Sequence, residues 1–355
     1  LMLNPLFVQN STFAWTKLPS AFFVLAAIAF FLRTLAPETP LRPSVLFALC
    51  LGAGILTHYS AVPYAIVLGV AWLVSGWGRL KQPTWWRATL TAGALGGAVL
   101  GLWFAWAFNV YGAGGTLTAN TTFQAADLTP ARQAVRIARN LFDTLVPHFL
   151  RPLDTRLIAQ TSPWGTWRDW FFQNYQVNLL FAFGSVAWIV LGVALRRTWR
   201  DAAPPLRAAW LGAVAATIFL GIAVHGARDT WGLTHICLQP VVLLGLAALA
   251  GLAPTLPRPW RLVLVAGAAI DFCLGLVLHF GVQNLAFDRW FTPGRNLDAI
   301  FATYNQIAVM NIAAKVHHQL VFFADVAALP LPAAAAWLTG LFALLLWRCG
   351  HHRRT

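Results

Sequence analysis

The chain has 355 residues, of which 59% are hydrophobic and 10% charged, and its mean hydropathy is +0.64. Soluble domains are about 45–50% apolar and about 25% charged, so this composition excludes an ordinary soluble domain, and its apolar content excludes a disordered chain. The net charge of +14 fits a membrane protein with basic cytoplasmic loops better than a nucleic-acid-binding protein. We therefore predict an all-α polytopic membrane protein with no nucleic acid partner.

Apolar runs along the chain predict about nine transmembrane helices. Such a helix needs about 20 apolar residues to cross roughly 30 Å of hydrocarbon. The runs lie at 18–32, 44–58, 60–77, 88–108, 177–195, 207–225, 235–253, 261–280 and 331–347. A single helix from Arg42 to Arg79 would be about 55 Å long, which exceeds the membrane thickness. The second and third runs therefore predict a hairpin that turns at the polar residues around His58, with both ends in the cytoplasm.

The charge distribution predicts the orientation. Placing five short basic segments in the cytoplasm gives that side 14 basic and 2 acidic residues, as the positive-inside rule requires. These segments are 33–43, 78–87, 196–207, 254–261 and the tail from 348. Two long segments, 109–176 and 281–330, are then expected to be extracytoplasmic loops with interfacial helices.

We expect residues 1–355 to form a single transmembrane domain, located in a bacterial inner membrane. The chain starts at Leu1 without a basic leader, so we expect that an N-terminal part of the protein precedes it.

Residues 130–146 predict an amphipathic helix. Ala134, Ile137, Leu141 and Leu145 form an apolar stripe at helical spacing. The opposite stripe carries Arg132, Arg136, Arg139 and Asp143. This pattern favours a helix lying along the lipid headgroups with its arginines near phosphate, and a solvated packing helix is the alternative.

Three outer positions near the first spans are candidate binding residues. Lys17 follows an aromatic-rich segment, where a lysine either reaches the interface along its aliphatic stem or faces a lipid phosphate. His58 and Tyr59 lie at the tip of the predicted hairpin. Polar groups beside hydrocarbon tend to face a cavity or a partner. A structural role for His58, bonded to a backbone carbonyl, is the alternative.

A second candidate site lies between the sixth and seventh runs. Arg228 and His235 are suited to hold an anion, since a guanidinium binds phosphate oxygens in a bidentate manner. Asp229 offers the alternative of a plain ion pair with Arg228. Asp271, inside the eighth run, is expected to face the bundle interior or a partner and to serve helix packing.

A late polar group made of Lys315, His317, His318 and Asp325 contains side chains that can bind a metal ion. Adjacent histidines point about 100° apart on a helix and do not easily share one ion. We predict no cofactor, with a divalent metal as the minor alternative. The sequence contains no P-loop, G-x-G-x-x-G or G-x-S-x-G motif.

Three segments resemble the GT-C glycosyltransferase superfamily, and most closely its protein mannosyltransferases and lipid A aminoarabinose transferases. Asn4-Pro5-Leu6-Phe7 with the Lys17 segment is similar to the third-to-fourth span region of that superfamily, and residues 52–64 are similar to the paired short helices that follow. His235-Ile236-Cys237-Leu238-Gln239-Pro240 stands where the family often starts a late span. The resemblance covers nearly the whole chain in topology and about 50 residues in sequence.

The resemblance implies a GT-C-like bundle and transfer of a sugar from a polyprenyl-phosphate carrier to a glycan, lipid or protein acceptor at the outer membrane face. Lys17, His58, Arg228 and His235, with Tyr59 beside His58, become positions expected to face phosphate or sugar. The family's base is an acidic residue in the first outer loop, but no Asp or Glu precedes Glu38. The catalytic residue is therefore unassigned. A transporter or flippase of a lipid-linked or anionic substrate is the alternative.

Overall fold

In the computed structural model, the described residues are 4, 6, 16–36, 40–117, 129–147, 150, 172–199, 204–224, 234–276, 333, 336 and 340. Within them every regular element is helical, which confirms the all-α prediction for this part of the chain. The α-helices are α1 (Lys17–Thr34), α2 (Leu41–Thr57), α3 (Val62–Gly76), α4 (Pro83–Leu117), α5 (Pro130–Leu145), α6 (Leu179–Ala182), α7 (Ala187–Trp199), α8 (Pro204–Val224), α9 (Gln239–Leu252) and α10 (Arg258–Leu276). Two short π-helical segments, here called π-turns, span Phe172–Val177 and Thr234–Leu238.

Three helical stretches are long and apolar enough to cross a membrane, namely Lys17–Thr34, Tyr59–Arg79 and Pro83–Thr116. Helices also overlap the predicted runs from 177–195 to 261–280. The run at 331–347 lies almost entirely outside the described residues, as does the segment 281–330. The α4 helix continues past the predicted end at 108, with one interruption at Gly112, whose φ is +68°.

Helices α2 and α3 form the predicted hairpin. The rings of Phe47 and Trp72 stack with centroids 5.6 Å apart, whereas one continuous helix would separate these residues by about 37 Å. His58 ends α2 with an extended backbone conformation, and a 3₁₀ turn at Tyr59–Ala61 leads into α3. At the far end of α3, the Arg79 guanidinium donates hydrogen bonds of 2.8–3.2 Å to the carbonyls of residues 34–36, at the end of α1. Both ends of the hairpin therefore lie on the side where α1 ends.

Small residues allow α2 and α4 to approach closely. A Cβ atom added to Gly96 would lie 3.1 Å from the Cβ of Ala48, and one added to Gly52 would lie 3.5 Å from the Gly96 carbonyl oxygen. Close contact between small residues is a common way for helices to associate where no hydrophobic effect drives them together.

We expect Gly96→Leu to destabilise the protein by roughly 1–3 kcal/mol, because overpacking forces neighbouring groups out of their preferred positions. Thermal unfolding in detergent would measure the loss. Gly97→Leu is the matched control, since a Cβ added to that exposed glycine meets nothing within 4 Å. Equal destabilisation by the two variants would contradict close packing at Gly96.

The run predicted as one span at 177–195 is interrupted, so that prediction of a continuous helix is wrong. Gly184 has φ +120° and separates α6 from α7. The Asp271 carboxylate, on α10, accepts hydrogen bonds at 2.9 and 3.0 Å from the Ser185 backbone N–H and a further one from the Ser185 hydroxyl. Asp271 is buried, which confirms that it faces the interior and connects helices. The carboxylate thus binds the backbone that the interruption leaves outside a helix.

Tyr175 extends this hydrogen-bonded group. Its hydroxyl lies 2.7 Å from the Ser185 hydroxyl oxygen. Because the single Ser185 hydroxyl proton is donated to Asp271, Tyr175 is the donor in this contact. Burial raises the pKa of the Tyr175 phenol, and the nearby Asp271 carboxylate raises it further. Tyr175 therefore stays protonated at neutral pH and can keep donating.

Candidate functional site

Three helix N-termini meet at one end of the bundle. Helix α1 starts at Lys17, α3 follows the turn Tyr59–Ala61, and α9 follows the π-turn Thr234–Leu238. The two turns contact each other, and α1 packs against the first of them and against α9. A helix N-terminus carries roughly half a positive charge from its aligned peptide dipoles. This end of the bundle is therefore suited to an anionic group.

Lys17 adds a full charge to the same place. Its side chain is partly buried and lies within electrostatic range of Cys237 in the π-turn. The Cys237 carbonyl accepts a 2.6 Å hydrogen bond from the hydroxyl of Tyr64, in the first turn of α3. The residue before α1, Thr16, makes no side-chain cap to the helix. Lys17 and the start of α1 are thus held beside the other two helix N-termini.

His58 and Tyr59 also lie at this end, and the backbone holds the His58 ring. The His58 Nδ1 atom accepts a 3.1 Å hydrogen bond from the Ser60 backbone N–H, so the neutral ring carries its proton on Nε2. The ring also stacks on Tyr59, with centroids 4.3 Å apart. A structural role for His58 was expected to involve a hydrogen bond to a backbone carbonyl, but the observed partner of Nδ1 is a backbone N–H. Nδ1 is thereby used within the turn.

Ser20 joins the α1 and α2 sides of the site. Its buried hydroxyl lies 3.0 Å from the Gly54 carbonyl oxygen and 3.3 Å from that of His58. Both carbonyls lie at the C-terminal end of α2, where they also accept hydrogen bonds from the backbone N–H groups of His58 and Ala61. Ser20 therefore fixes the position of the His58 turn relative to Lys17, one helical turn away on α1.

Helix α5 has the predicted position in the sequence but a different orientation. Thr129 caps it by accepting a hydrogen bond from the Arg132 backbone N–H. Ile137 and Leu141 pack against the core as the apolar stripe predicts. Asp143, however, is buried rather than on a lipid- or solvent-facing stripe, and that prediction is wrong. The remaining members of the predicted stripe, Ala134 and Leu145, are exposed.

Apolar side chains on α5 point outward. Val135 is 52% and Phe142 50% exposed, while Asn140, Asp143 and Thr144 are almost completely buried. Arg132 and Arg139 are exposed on the same helix, so its outward surface combines apolar and cationic side chains, as is typical of a helix at the lipid headgroups.

The buried side of α5 belongs to a polar layer. Its members are side chains from α5, the two π-turns and the residues that follow them, all at most 1% exposed: Asn140, Asp143, Thr144, Asn174, Gln176, Asn178, Thr234 and Gln239. The π-turns contact each other and both contact α6, which also contacts α5. Asn178 connects the parts, since its Nδ2 donates to the Thr144 carbonyl at 3.2 Å and its Oδ1 accepts from the first backbone N–H groups of α6.

The polar layer contains buried atoms without a hydrogen-bond partner in the described part of the chain. Neither side-chain amide atom of Asn140 has a hydrogen-bond partner among the described residues, and the same holds for the Thr234 hydroxyl. An unsatisfied buried polar group costs about 1–3 kcal/mol. The layer therefore retains donors and acceptors that a further polar group can satisfy.

The sequence analysis did not predict several of these residues as part of the site. Asn178 follows the familiar pattern of an asparagine immediately before a helix, and this signal was available. Asn4 donates a 2.8 Å hydrogen bond to the Ala182 carbonyl, and no pattern near it indicates so distant a partner. Asn140 and Thr234 have no motif around them, and only their burial identifies them.

Other predicted positions are not described in full. Arg228 and Asp229 lie outside the described residues, as do Lys315, His317, His318 and Asp325. His235 belongs to the π-turn Thr234–Leu238, so its backbone lies at the site, but its side chain is not described. Within the described ranges no group of three or more His, Cys, Asp or Glu side chains is arranged to hold a metal ion.

Comparison with known proteins returned no match to any family model, to any curated protein or to any solved structure.

Proposed function

We propose that the protein is an integral-membrane glycosyltransferase that moves a sugar from a polyprenyl-phosphate carrier to an acceptor at the extracytoplasmic face. The observation that carries this proposal is the convergence of Lys17 with the N-termini of α1, α3 and α9. A phosphate needs concentrated positive charge and N–H donors. One lysine and the dipoles of three helix ends supply the positive charge at one end of the bundle.

The orientation of the site supports an extracytoplasmic reaction. Arg79 contacts the end of α1 opposite to Lys17. Because successive helices run in alternating directions, the same side of the bundle also holds the helix ends that carry Arg33, Arg42, Arg196 and Arg258. The positive-inside rule assigns that side to the cytoplasm. The Lys17 site and the polar layer then face the outside, in a multi-pass bundle that we propose to have about nine transmembrane helices.

The surface of the helices supports a lipid-linked donor. Large apolar side chains such as Leu102 on α4, which is 78% exposed, and Val265 on α10, which is 67% exposed, fit a hydrocarbon environment. A polyprenyl chain can lie against such a surface while its phosphate reaches Lys17. The carrier, a membrane lipid, and a glycan, lipid or protein acceptor are the partners of this reaction.

The proposed chemistry is a single displacement. The acceptor oxygen bonds to the anomeric carbon while the bond from that carbon to the phosphate oxygen breaks. The acceptor proton passes to a base that we leave unassigned, and polyprenyl phosphate departs with the electron pair. Lys17 and the helix N-termini stabilise the charge that grows on the departing phosphate, and such fixed donors contribute strongly to catalysis.

Two measurements test the proposal. In a cysteine-free background, Arg139→Cys should react with a membrane-impermeant maleimide applied to intact cells, and Gly78→Cys should not, because they lie on opposite sides. Membranes containing the protein should also transfer labelled sugar to an acceptor from polyprenyl-phosphate mannose or from polyprenyl-phosphate aminoarabinose. Reaction of Gly78→Cys alone, or retention of all label on the lipid, would contradict the proposal.

A transporter or flippase is the second candidate, and one observation favours it. The interruption at Gly184, with the buried Asp271 carboxylate bound to Ser185, has the discontinuous helix and intramembrane acid that many transporters use. Proteoliposomes loaded with fluorescent polyprenyl phosphate would distinguish the two functions. Lipid movement across the bilayer that requires Asp271, without sugar transfer, would support the transporter.

A further inference from the structure

The polar layer beneath α5 is distinct from the Lys17 site in its chemistry. Apart from Asp143, its members are amides and hydroxyls, and they come from α5 and from both π-turns. A phosphate is bound chiefly by cationic donors. Amide and hydroxyl side chains instead offer donors and acceptors together, which matches a group with several hydroxyls.

The layer is also incomplete without a further polar group. Asn140 is fully buried with both amide atoms lacking partners among the described residues, and the fully buried Thr234 hydroxyl lacks one too. Buried polar atoms in native proteins are almost always hydrogen-bonded. Asn140 lies on α5 and Thr234 lies in a π-turn, so the lack of hydrogen-bond partners is not a local feature of a single element.

The two sites share the π-turn Thr234–Leu238. Thr234 belongs to the polar layer, and Cys237, three residues later, lies beside Lys17. A phosphate at Lys17 would therefore hold a group attached to it next to the polar layer. The outward face of α5 carries Val135 and Phe142 together with Arg139, which places the layer beneath a helix suited to the lipid headgroup region.

From these observations we infer that the polar layer is a binding site for an uncharged, hydroxyl-rich group, with Asn140 and Thr234 as contact residues. Its identification as the sugar of a lipid-linked donor rests on the proposed function. The layer then determines which sugar is bound, while Lys17 and the helix N-termini bind the phosphate that all such donors have in common.

The test compares two probes, polyprenyl-phosphate mannose and bare polyprenyl phosphate, on the full chain in lipid nanodiscs. The wild type should bind the glycosylated probe at least tenfold more tightly. Asn140→Leu and the isosteric Thr234→Val should each reduce this preference at least fivefold and leave binding of the bare lipid within twofold. Arg139→Leu, at the exposed neighbouring position of α5, should change neither.

The melting temperatures of the two variants show whether Asn140 and Thr234 contact a ligand or stabilise the fold. Both variants remove buried polar atoms that lack partners, so their melting temperatures should equal or exceed that of the wild type. The inference would be overturned if the wild type showed no preference for the glycosylated lipid, or if both variants failed to fold. It would also be overturned if both variants kept the wild-type preference, which would mean that water alone occupies the layer. A lost preference in the variants together with no sugar transfer by the wild type would instead overturn the proposed function and leave the binding site standing.

Discussion

Replacing Lys17 by methionine should weaken binding of polyprenyl phosphate about 10- to 100-fold, since a hydrogen bond from a charged donor contributes roughly 1.5–3 kcal/mol. Methionine keeps an unbranched side chain of similar length, so the contacts of the aliphatic stem remain. Lys17 lies at the N-terminus of α1 beside the π-turn Thr234–Leu238, at the end of the bundle where the three helix N-termini converge. Binding to the purified protein in nanodiscs would measure the effect.

Lys81 provides the matched control for that variant. It is an exposed lysine in the turn after α3, at the opposite end of the bundle. Lys81→Met removes the same charge and should leave binding within twofold, and Lys17→Arg should retain most of the affinity. Equal losses in Lys17→Met and Lys81→Met would mean that net charge, rather than the site at α1, attracts the lipid.

Gly184→Ala should destabilise the protein by roughly 2–6 kcal/mol, because it adds backbone strain and breaks a buried hydrogen-bonded contact. The φ of +120° at this position favours glycine, and a residue held in such a sparsely populated region costs about 1–3 kcal/mol. The added Cβ would also collide with the Asp271 Oδ2 atom. Moving the carboxylate away breaks its buried hydrogen bonds to Ser185, at a further cost of about 1–3 kcal/mol. Thermal unfolding in detergent would measure the loss.

Gly112→Ala distinguishes the two causes. Gly112 also has a positive φ, of +68°, but a Cβ added there meets nothing within 4 Å. This variant should lose only the backbone contribution and be clearly more stable than Gly184→Ala. If the two variants unfold at the same temperature, the contact between Gly184 and Asp271 contributes nothing.

Much of the helical framework was predictable from the sequence because membrane helices are defined by long apolar runs. The hairpin followed from a length argument alone, and the stacking of Phe47 on Trp72 agrees with it. The interruption at Gly184 was not predictable in the same way. Its cause is a carboxylate 87 positions later in the chain (271 − 184 = 87), and hydropathy contains no information on such distant partners.

The candidate site was predicted in part. Lys17, His58 and Tyr59 stood out as polar residues beside apolar runs, and they lie at one end of the bundle. Asp143 was assigned to the wrong environment because charged side chains were taken to point away from the protein. Where hydrocarbon lies outside, the rule is reversed, and Phe142 can be exposed while its neighbour Asp143 is buried. Asn140 and Thr234 could be recognised only from burial, which depends on the packed structure.

The contact between Arg79 and the last carbonyls of α1 limits how the bundle can open. Three hydrogen bonds join the ends of α1 and α3 that lie opposite Lys17, so we expect these helices to separate by pivoting about that contact. The widest movement then occurs at the far ends, where Lys17 and Tyr59 sit. In the proposed orientation, a lipid would enter between the two helices from the outer leaflet.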